Sequence, residues 1–159
     1  MSGPDDWQSV FKVNVEGVYR LTQSLIESMI AKGEGTIITV SSMAALKPGL
    51  LGGAPYSAAK AASRNLMGDI NVELNDLGIR ACTIVPAEVD TPILDNRPLV
   101  PNQKSRSTMM HPRDVADAIL LCAVMPQRTV VEEIVLKPTT NRNINRDIEV
   151  ARHEGEQVE

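Results

Sequence analysis

Side chains that could carry acid–base chemistry lie close together in the first half of the chain. Ser41 and Ser42 follow an apolar run, and Tyr56 and Lys60 stand four residues apart shortly afterwards. On a helix, that spacing places the tyrosine and the lysine on one face. A free tyrosine has a pKa of about 10, and a nearby ammonium stabilises its phenolate and lowers that pKa. A tyrosine tuned in this way can act as a general acid or base at neutral pH, although the spacing also fits a solvated pair without a function.

Asn14 is a polar residue at a position where the pattern calls for an apolar one. It falls on an apolar stripe whose members, at helical spacing, are Trp7, Phe11, Val18, Leu21, Leu25 and Met29. A buried amide without a partner costs roughly 1–3 kcal/mol. Asn14 is therefore either a satisfied core residue that bonds to a neighbouring carbonyl, or a residue that orders a water near the active edge.

Helices and strands alternate along the chain. The helices are predicted at about residues 5–31, 55–77 and 112–125, and the strands at 36–41, 79–85 and 129–136. Gly33 and Gly35 should end the first helix, and Gly78 should follow the second in a left-handed conformation. The strand segments are rich in β-branched residues without polar alternation, which is typical of strands covered on both faces. This order predicts an α/β fold with a parallel sheet. Because ligands bind beyond the carboxyl ends of parallel strands, Ser42, Tyr56 and Lys60 should meet the segment 86–91 at one rim.

Composition narrows the function classes. The 159 residues are 43% hydrophobic and 23% charged, which argues against disorder, and the net charge of −4 offers no basic surplus for nucleic acid or an acidic membrane. Cys82 and Cys122 lie 40 residues apart without a CxxC pair, and there are only two histidines, so we expect core thiols and no metal site. The apolar runs are too short for a membrane span, and we expect a cytoplasmic protein.

Several short segments match motifs that occur together, in this order, in one enzyme family. They are Asp6-Trp7 with Val13-Asn14-Val15-Glu16-Gly17, Gly35-Thr-Ile-Ile-Thr-Val-Ser-Ser42 with Tyr56-Ser-Ala-Ala-Lys60, Ile84-Val-Pro-Ala-Glu-Val-Asp-Thr91, and His111-Pro-Arg-Asp-Val-Ala-Asp117. Together they resemble the short-chain dehydrogenase/reductase family over residues from about 5 to 138.

The resemblance implies a fold and an activity. The fold would be a Rossmann-type doubly wound parallel sheet, incomplete here, with about three strands and three main helices. The activity would be the interconversion of an alcohol and a carbonyl by hydride transfer with NAD or NADP, a choice that the sequence leaves undecided. By resemblance, Tyr56 is the catalytic acid/base, and Lys60 lowers its pKa and holds the nicotinamide ribose. Ser42 would bond to the substrate oxygen, and Asn14 would hold a water in the proton relay.

The resemblance also implies a cofactor-binding set beside the catalytic one. Thr91 and the backbone of Pro86, Ala87 and Val89 would face the nicotinamide carboxamide, and Tyr56 and Lys60 would complete the set. Ala87 replaces the glycine that is usual in this motif, and alanine does not readily adopt a positive φ, so we expect a shifted nicotinamide loop.

Two further features depart from the family pattern. The distance from Ser42 to Tyr56 is one residue longer than usual, so that Ser41 or Ser42 could be the catalytic serine. The sequence also has no Gly-rich turn that would bind the cofactor's phosphates. We therefore expect residues 1–138 to be the C-terminal part of a family domain. Residues 139–159 should form a polar, flexible tail whose charges, Arg142 and Asp147 among them, are solvated.

Two functions remain open. In the first, the chain is part of an oxidoreductase that acts on a small-molecule alcohol or carbonyl, and the complete protein is a homodimer or homotetramer. In the second, it is a truncated, inactive remnant that serves only as an oligomerising or interaction module through its long helices. Neither nucleic acid nor a membrane is an expected partner.

Overall fold

The computed structural model describes residues 4–154 and places three parallel strands of this segment in one sheet. The helices are α1 (Pro4–Phe11), α2 (Gly17–Lys32), α3 (Gly53–Leu74), α4 (Gln103–Arg106), α5 (Pro112–Val124) and α6 (Asn145–Glu154). The strands are β1 (Gly35–Val40), β2 (Ile79–Pro86) and β3 (Glu133–Leu136), in the spatial order β1-β2-β3. The predicted α/β fold with a parallel sheet is confirmed. Within residues 4–154, none of the helices is both long enough and apolar enough to cross a membrane.

The first predicted helix is one continuous helical segment with an irregular centre. A π-helical turn, Lys12–Glu16, joins α1 to α2 without a break in right-handed helical geometry. Gly33 ends the segment with a φ of 70°, a left-handed conformation that glycine adopts without strain. The predicted extent of this helix, about 5–31, is confirmed.

The face of α2 that packs on the core is only partly the predicted stripe. The residues of α2 that pack on the core are Val18, Ile26, Met29 and Ile30. Leu21 and Leu25, which belong to the predicted stripe, are exposed. Trp7, at the start of the stripe, is also exposed, and its ring lies against that of Phe11. The same two rings stack on each other, with centroids 4.5 Å apart.

β2 is the central strand and lies in the core. Every residue from Ile79 to Val85 is buried, as expected for a strand covered on both faces. β3 begins at Glu133 and is therefore shorter than the predicted strand at 129–136. The backbone N–H of Thr129 donates to the carbonyl of Pro126 at 2.8 Å and closes a turn, which delays the strand.

The long helix α3 docks on β2 through polar as well as apolar contacts. The buried side chain of Asn71 donates to the carbonyl of Ala81 at 2.8 Å and accepts from the N–H of the same residue at 2.7 Å. Gly78, just beyond the helix, has a φ of 81°, as the sequence predicts. A Cβ on Gly78 would lie 1.9 Å from the carbonyl oxygen of Gly33, so only glycine fits where the two helix ends meet.

The two thiols are neighbours in the core. Cys82 on β2 and Cys122 on α5 are free and buried, with their Sγ atoms 3.2 Å apart. Burial, together with the hydrogen bond to Cys122, raises the pKa of Cys82 to about 12. This is the environment expected for small core residues.

The C-terminal segment differs from the polar tail expected at 139–159. It contains α6, and Asp147 on this helix is only 5% exposed. Arg142, with a side chain 11% exposed, pairs with Asp147 at 3.0 Å. The expectation that these two charges are solvated is wrong, because Arg142 also reaches a carboxylate 54 residues earlier in the chain, a pairing that local composition does not reveal. The flexibility of the tail stays a prediction, and residues 155–159 lie outside the described part.

Candidate active site

A cleft of about 580 Å³ opens where the chain leaves the carboxyl ends of β1 and β2. Its walls come from the loop after β1, the first turn of α3, the segment after β2 and the C-terminal segment. The candidate residues that line it are Ser42, Tyr56, Ala87, Val89 and Thr91. A cleft of this volume suits a small molecule. Topology thus brings five residues that the sequence singles out to one place.

The structure distinguishes the two serines that the spacing leaves open. The hydroxyl of Ser41 is buried and donates to the backbone carbonyl of Lys60 at 2.9 Å, so it ties β1 to α3. The hydroxyl of Ser42 lines the cleft and accepts from the N–H of Ala44 at 3.2 Å, which leaves its proton free to donate. Of the two, Ser42 therefore has the hydroxyl that a substrate oxygen in the cleft could reach.

Tyr56 and Lys60 face each other one turn apart on α3. The ammonium of Lys60 lies 5.7 Å from the centroid of the Tyr56 ring and donates to the carbonyl of Val40 at 3.0 Å. Burial lowers the pKa of Lys60, because a half-buried ammonium loses hydration. A Cβ on Gly52 would lie 2.8 Å from the Tyr56 ring, so the loop needs a glycine for this ring to sit in the cleft wall. Tyr56 is a lining residue of the cleft, whereas Lys60 is not.

Asn14 lies away from the lining of this cleft. Its amide donates to the carbonyl of Val10 at 3.0 Å, one turn earlier on the same helix. This bond agrees with the first alternative, an Asn bonded to a neighbouring carbonyl. Whether Asn14 also orders a water stays a prediction. Asn14 is nonetheless the central residue of the π-helical turn Lys12–Glu16, and such turns are frequent at functional sites. The turn packs against α3, the helix that carries Tyr56.

The segment after β2 is held in an ordinary backbone conformation. Pro86 is the last residue of β2, and the N–H of Ala87 donates to the carbonyl of Leu136 on β3 at 2.8 Å. Among the described residues only glycines have a positive φ, so Ala87 does not need the freedom of the glycine it replaces. The shifted nicotinamide loop expected from this replacement stays a prediction. Val89 and Thr91 follow it along the cleft wall.

Sequence reasoning missed several residues of the cleft. The additional charged lining residues are Lys47, Glu88 and Arg97, and the additional apolar ones from the C-terminal segment are Ile144 and Ile148. Burial by itself would raise the pKa of Glu88, but the hydrogen bonds from the guanidiniums of Arg142 and Arg97 have the larger combined effect and hold that pKa below its usual value. The i, i+4 spacing of Ile144 and Ile148 within a polar segment is a signal that could have predicted a helix with one apolar face.

Known proteins share both the sequence pattern and the fold. The short chain dehydrogenase family model matches residues 2–99. The chain is 28% identical over 134 residues to an uncharacterized oxidoreductase of Staphylococcus aureus (strain USA300), an alignment that covers 84% of this chain and 55% of that protein. The closed form of serine dehydrogenase complexed with NADP+ has a TM-score of 0.79 at 21% identity, over 89% of this chain and 59% of that one. Gluconate 5-dehydrogenase from Burkholderia cenocepacia J2315, in complex with NADP and tartrate, has a TM-score of 0.71 at 26% identity, over 85% and 56%.

The matches agree in their extent. The chain spans about half the length of the curated relatives and solved structures that it matches. Its three-stranded sheet has the Rossmann-type architecture of those structures, as the resemblance implies. The order of the motifs, the family match over residues 2–99 and the shared fold lead to one conclusion. The chain belongs to the short chain dehydrogenase family.

Proposed function

We propose that residues 1–138 are the C-terminal, catalytic part of an NAD(P)-dependent oxidoreductase that interconverts an alcohol and a carbonyl. One observation carries the proposal. Ser42 and Tyr56 line the same cleft, and the ammonium of Lys60 lies 5.7 Å from the centroid of the Tyr56 ring. Two hydroxyl side chains in one cleft, with a cation beside one of them, are suited to a reaction in which a substrate oxygen gains or loses a proton.

The residues present fit the nicotinamide end of the cofactor. Thr91 and the backbone of Ala87 and Val89 line the cleft that Tyr56 enters, and they offer polar groups for a carboxamide. Lys60 would hold the ribose. The sequence has no G-x-G-x-x-G segment for the phosphates. When bound, the cofactor supplies or accepts the hydride. The choice between NAD and NADP stays open, although a solved relative was obtained with NADP.

The chain's own residues would handle the substrate oxygen and its proton. In the reduction direction, Ser42 donates a hydrogen bond to the carbonyl oxygen and fixes its position. Tyr56 then gives its proton to that oxygen as the hydride arrives at carbon, which leaves a phenolate and an alcohol. The Lys60 ammonium stabilises the phenolate. In the oxidation direction the phenolate takes the proton back. Asn14 would hold a water that returns protons from solvent.

The substitution Tyr56→Phe tests this assignment in the whole protein. We expect loss of turnover with NADH and NADPH, by at least about 10², while the fold stays intact by circular dichroism. Tyr19→Phe is the matched control, because Tyr19 is the other tyrosine and lies exposed on α2, where its hydroxyl accepts from Gln23. A Tyr56→Phe protein that turns over at the rate of the Tyr19→Phe protein would remove Tyr56 from this role.

A specific observation favours the second candidate, an oligomerising module. Trp7, Leu21 and Leu25 leave large apolar side chains exposed along α1 and α2. Exposed apolar surface of this kind marks contact sites between proteins. The same face would serve a homodimer or homotetramer of the active enzyme. Sedimentation of wild type and Leu21→Lys measures whether this face mediates association. A whole protein that associates but has no turnover would favour the oligomerising module over the enzyme.

A further inference from the structure

The C-terminal segment supplies one wall of the candidate active site. Ile144 and Ile148 line the cleft one helical turn apart, and Ile93 and Leu94 line it from the 3₁₀-helical turn after β2. We call these four branched side chains the apolar patch. Leu94 is buried and Ile93 is largely exposed, so the partly buried Ile144 and Ile148 are the members best placed to face a ligand in the cleft. The groups proposed to react, Ser42 and Tyr56, are polar. A substrate that places its oxygen on the two hydroxyls would therefore place its remaining part in the same volume as this patch.

A single carboxylate joins the two segments that carry the patch. Oε1 of Glu88 accepts from Nη1 of Arg97 at 2.9 Å and from Nη2 of Arg142 at 2.7 Å, and Oε2 accepts from Nε of Arg142 at 3.0 Å. Arg97 follows the turn that holds Ile93 and Leu94, while Arg142 stands two residues before Ile144. Glu88 itself stands two residues after the end of β2, the buried central strand.

The same guanidinium continues the network into α6. Arg142 donates from Nη1 and Nη2 to the two carboxylate oxygens of Asp147 at 3.0 and 3.1 Å. Asp147 is buried and lies one residue before Ile148, so this pair fixes the helix turn that points Ile148 at the cleft. Because these charges are mostly sheltered from water, removal of one partner leaves its neighbours with less compensation for their burial.

We propose that Glu88 is a positioning residue that holds the apolar wall of the cleft through Arg97 and Arg142, and that this wall selects carbonyl or alcohol substrates with an apolar substituent. The inference rests on the proposed oxidoreductase function. Glu88 does not need to touch the reacting atoms for this role. It sets where Ile144 and Ile148 stand relative to Ser42 and Tyr56.

The kinetic test compares a small and a large ketone in the whole protein. Acetone and 4-phenylbutan-2-one are reduced with NADPH or NADH by wild type, Glu88→Gln, Arg142→Met, the double variant and Glu88→Asp. We expect Glu88→Gln to raise KM for the phenyl ketone about tenfold with kcat nearly unchanged, because the loss of a few apolar contacts weakens substrate binding by about this factor. KM for acetone should change little. Arg142→Met in the Glu88→Gln background should raise KM for the phenyl ketone further, because it also removes the partner of the buried Asp147, and Glu88→Asp should restore part of the loss. Asp117→Asn, which breaks an exposed pair with Arg113 on α5, is the control.

Several results would overturn the proposal. One is a wild type without preference for the phenyl ketone, and another is a Glu88→Gln variant whose KM values stay unchanged. A third is an equal fall in kcat for both ketones, which would assign Glu88 to the chemical step or to cofactor binding. A purely structural role would not produce a change in KM confined to the larger ketone.

If neither ketone is turned over, the result contradicts the proposed oxidoreductase function and leaves the positioning role of Glu88 to a second measurement. Amide hydrogen exchange of the 159-residue chain is compared between wild type and Glu88→Gln. We expect exchange over residues 145–154 to rise at least about tenfold, while β2 keeps its protection. Unchanged exchange over 145–154 would show that Glu88 does not hold this segment, whatever the protein catalyses.

Discussion

β1 and β2 have the same kind of sequence and different surroundings. Both are runs of β-branched and apolar residues, and the pattern predicts that both are covered on two faces. In β2 every residue except the last is buried, whereas in β1 only Thr39 is buried. The contrast is sharpest in one ladder pair. Val40 and Ile84 are partners across the two strands, yet Val40 is 41% exposed and Ile84 is 0% exposed.

The difference teaches that a strand's composition reflects the environment it was selected for. Within residues 4–154, β1 pairs only with β2, so its other edge presents backbone groups without a strand partner. Edge strands of native proteins are commonly short, charged or interrupted by proline, and β1 is none of these apart from its modest length. A central-type strand at an edge agrees with the proposal that residues 1–138 belong to a larger domain. The chain also spans only about half of its relatives.

The largest expected effect contrasts the two members of the ladder pair. Ile84→Ala should lower the free energy of unfolding of the chain by about 2–5 kcal/mol, because it leaves a cavity in the core. Val40→Ala should cost less than about 1 kcal/mol, because water already reaches Val40. Urea denaturation followed by circular dichroism measures both. Equal losses in the free energy of unfolding would mean that β1 is packed as deeply as β2, which would contradict the difference between the two strands.

The next effect concerns how α3 holds the central strand. Asn71 satisfies both backbone groups of Ala81, and it is buried. Asn71→Ala should therefore cost about 1–3 kcal/mol in the free energy of unfolding, since the two buried groups lose their partners. The matched control is Asn65→Ala on the same helix, where the exposed side chain bonds only to Asp69. We expect a change below about 0.5 kcal/mol there. If Asn65→Ala lowers the free energy of unfolding as much as Asn71→Ala does, then helix propensity explains the loss, and the two hydrogen bonds to Ala81 do not.

Much of this architecture could be predicted from local sequence signals. Periodicity gave the long helices and the order of the strands, and Gly33 and Gly78 marked helix ends because each requires a positive φ. The rule that ligands bind beyond the carboxyl ends of parallel strands placed Ser42 and Tyr56 at one rim. These signals work because they depend on neighbours within a few residues or on topology alone.

The features that sequence reasoning missed depend on distant partners. Glu88 and Arg142 are 54 residues apart, and nothing in the residues around either one indicates the other. Without that pairing, Asp147 looks like an ordinary solvated acid, and the apolar spacing of Ile144 and Ile148 is easily overlooked. The π-helical turn was missed for a related reason, since tertiary packing and not propensity decides where a helix widens.

The smallest expected signal is the binding of cofactor by the 159-residue chain alone. NADH and NADPH are titrated into the chain and followed by nicotinamide fluorescence, and we expect at most weak binding, far from micromolar affinity. The groups that the chain offers, at Tyr56, Lys60 and Thr91, would hold only the nicotinamide end. The phosphates need a Gly-rich turn at a helix N-terminus, which the sequence does not contain. The whole protein, titrated in the same way, is the control. Micromolar binding by the chain alone would mean that the cleft beside β2 suffices. Binding by the whole protein alone would mean that cofactor affinity depends on structure beyond the exposed edge of β1, where the proposed larger domain would continue.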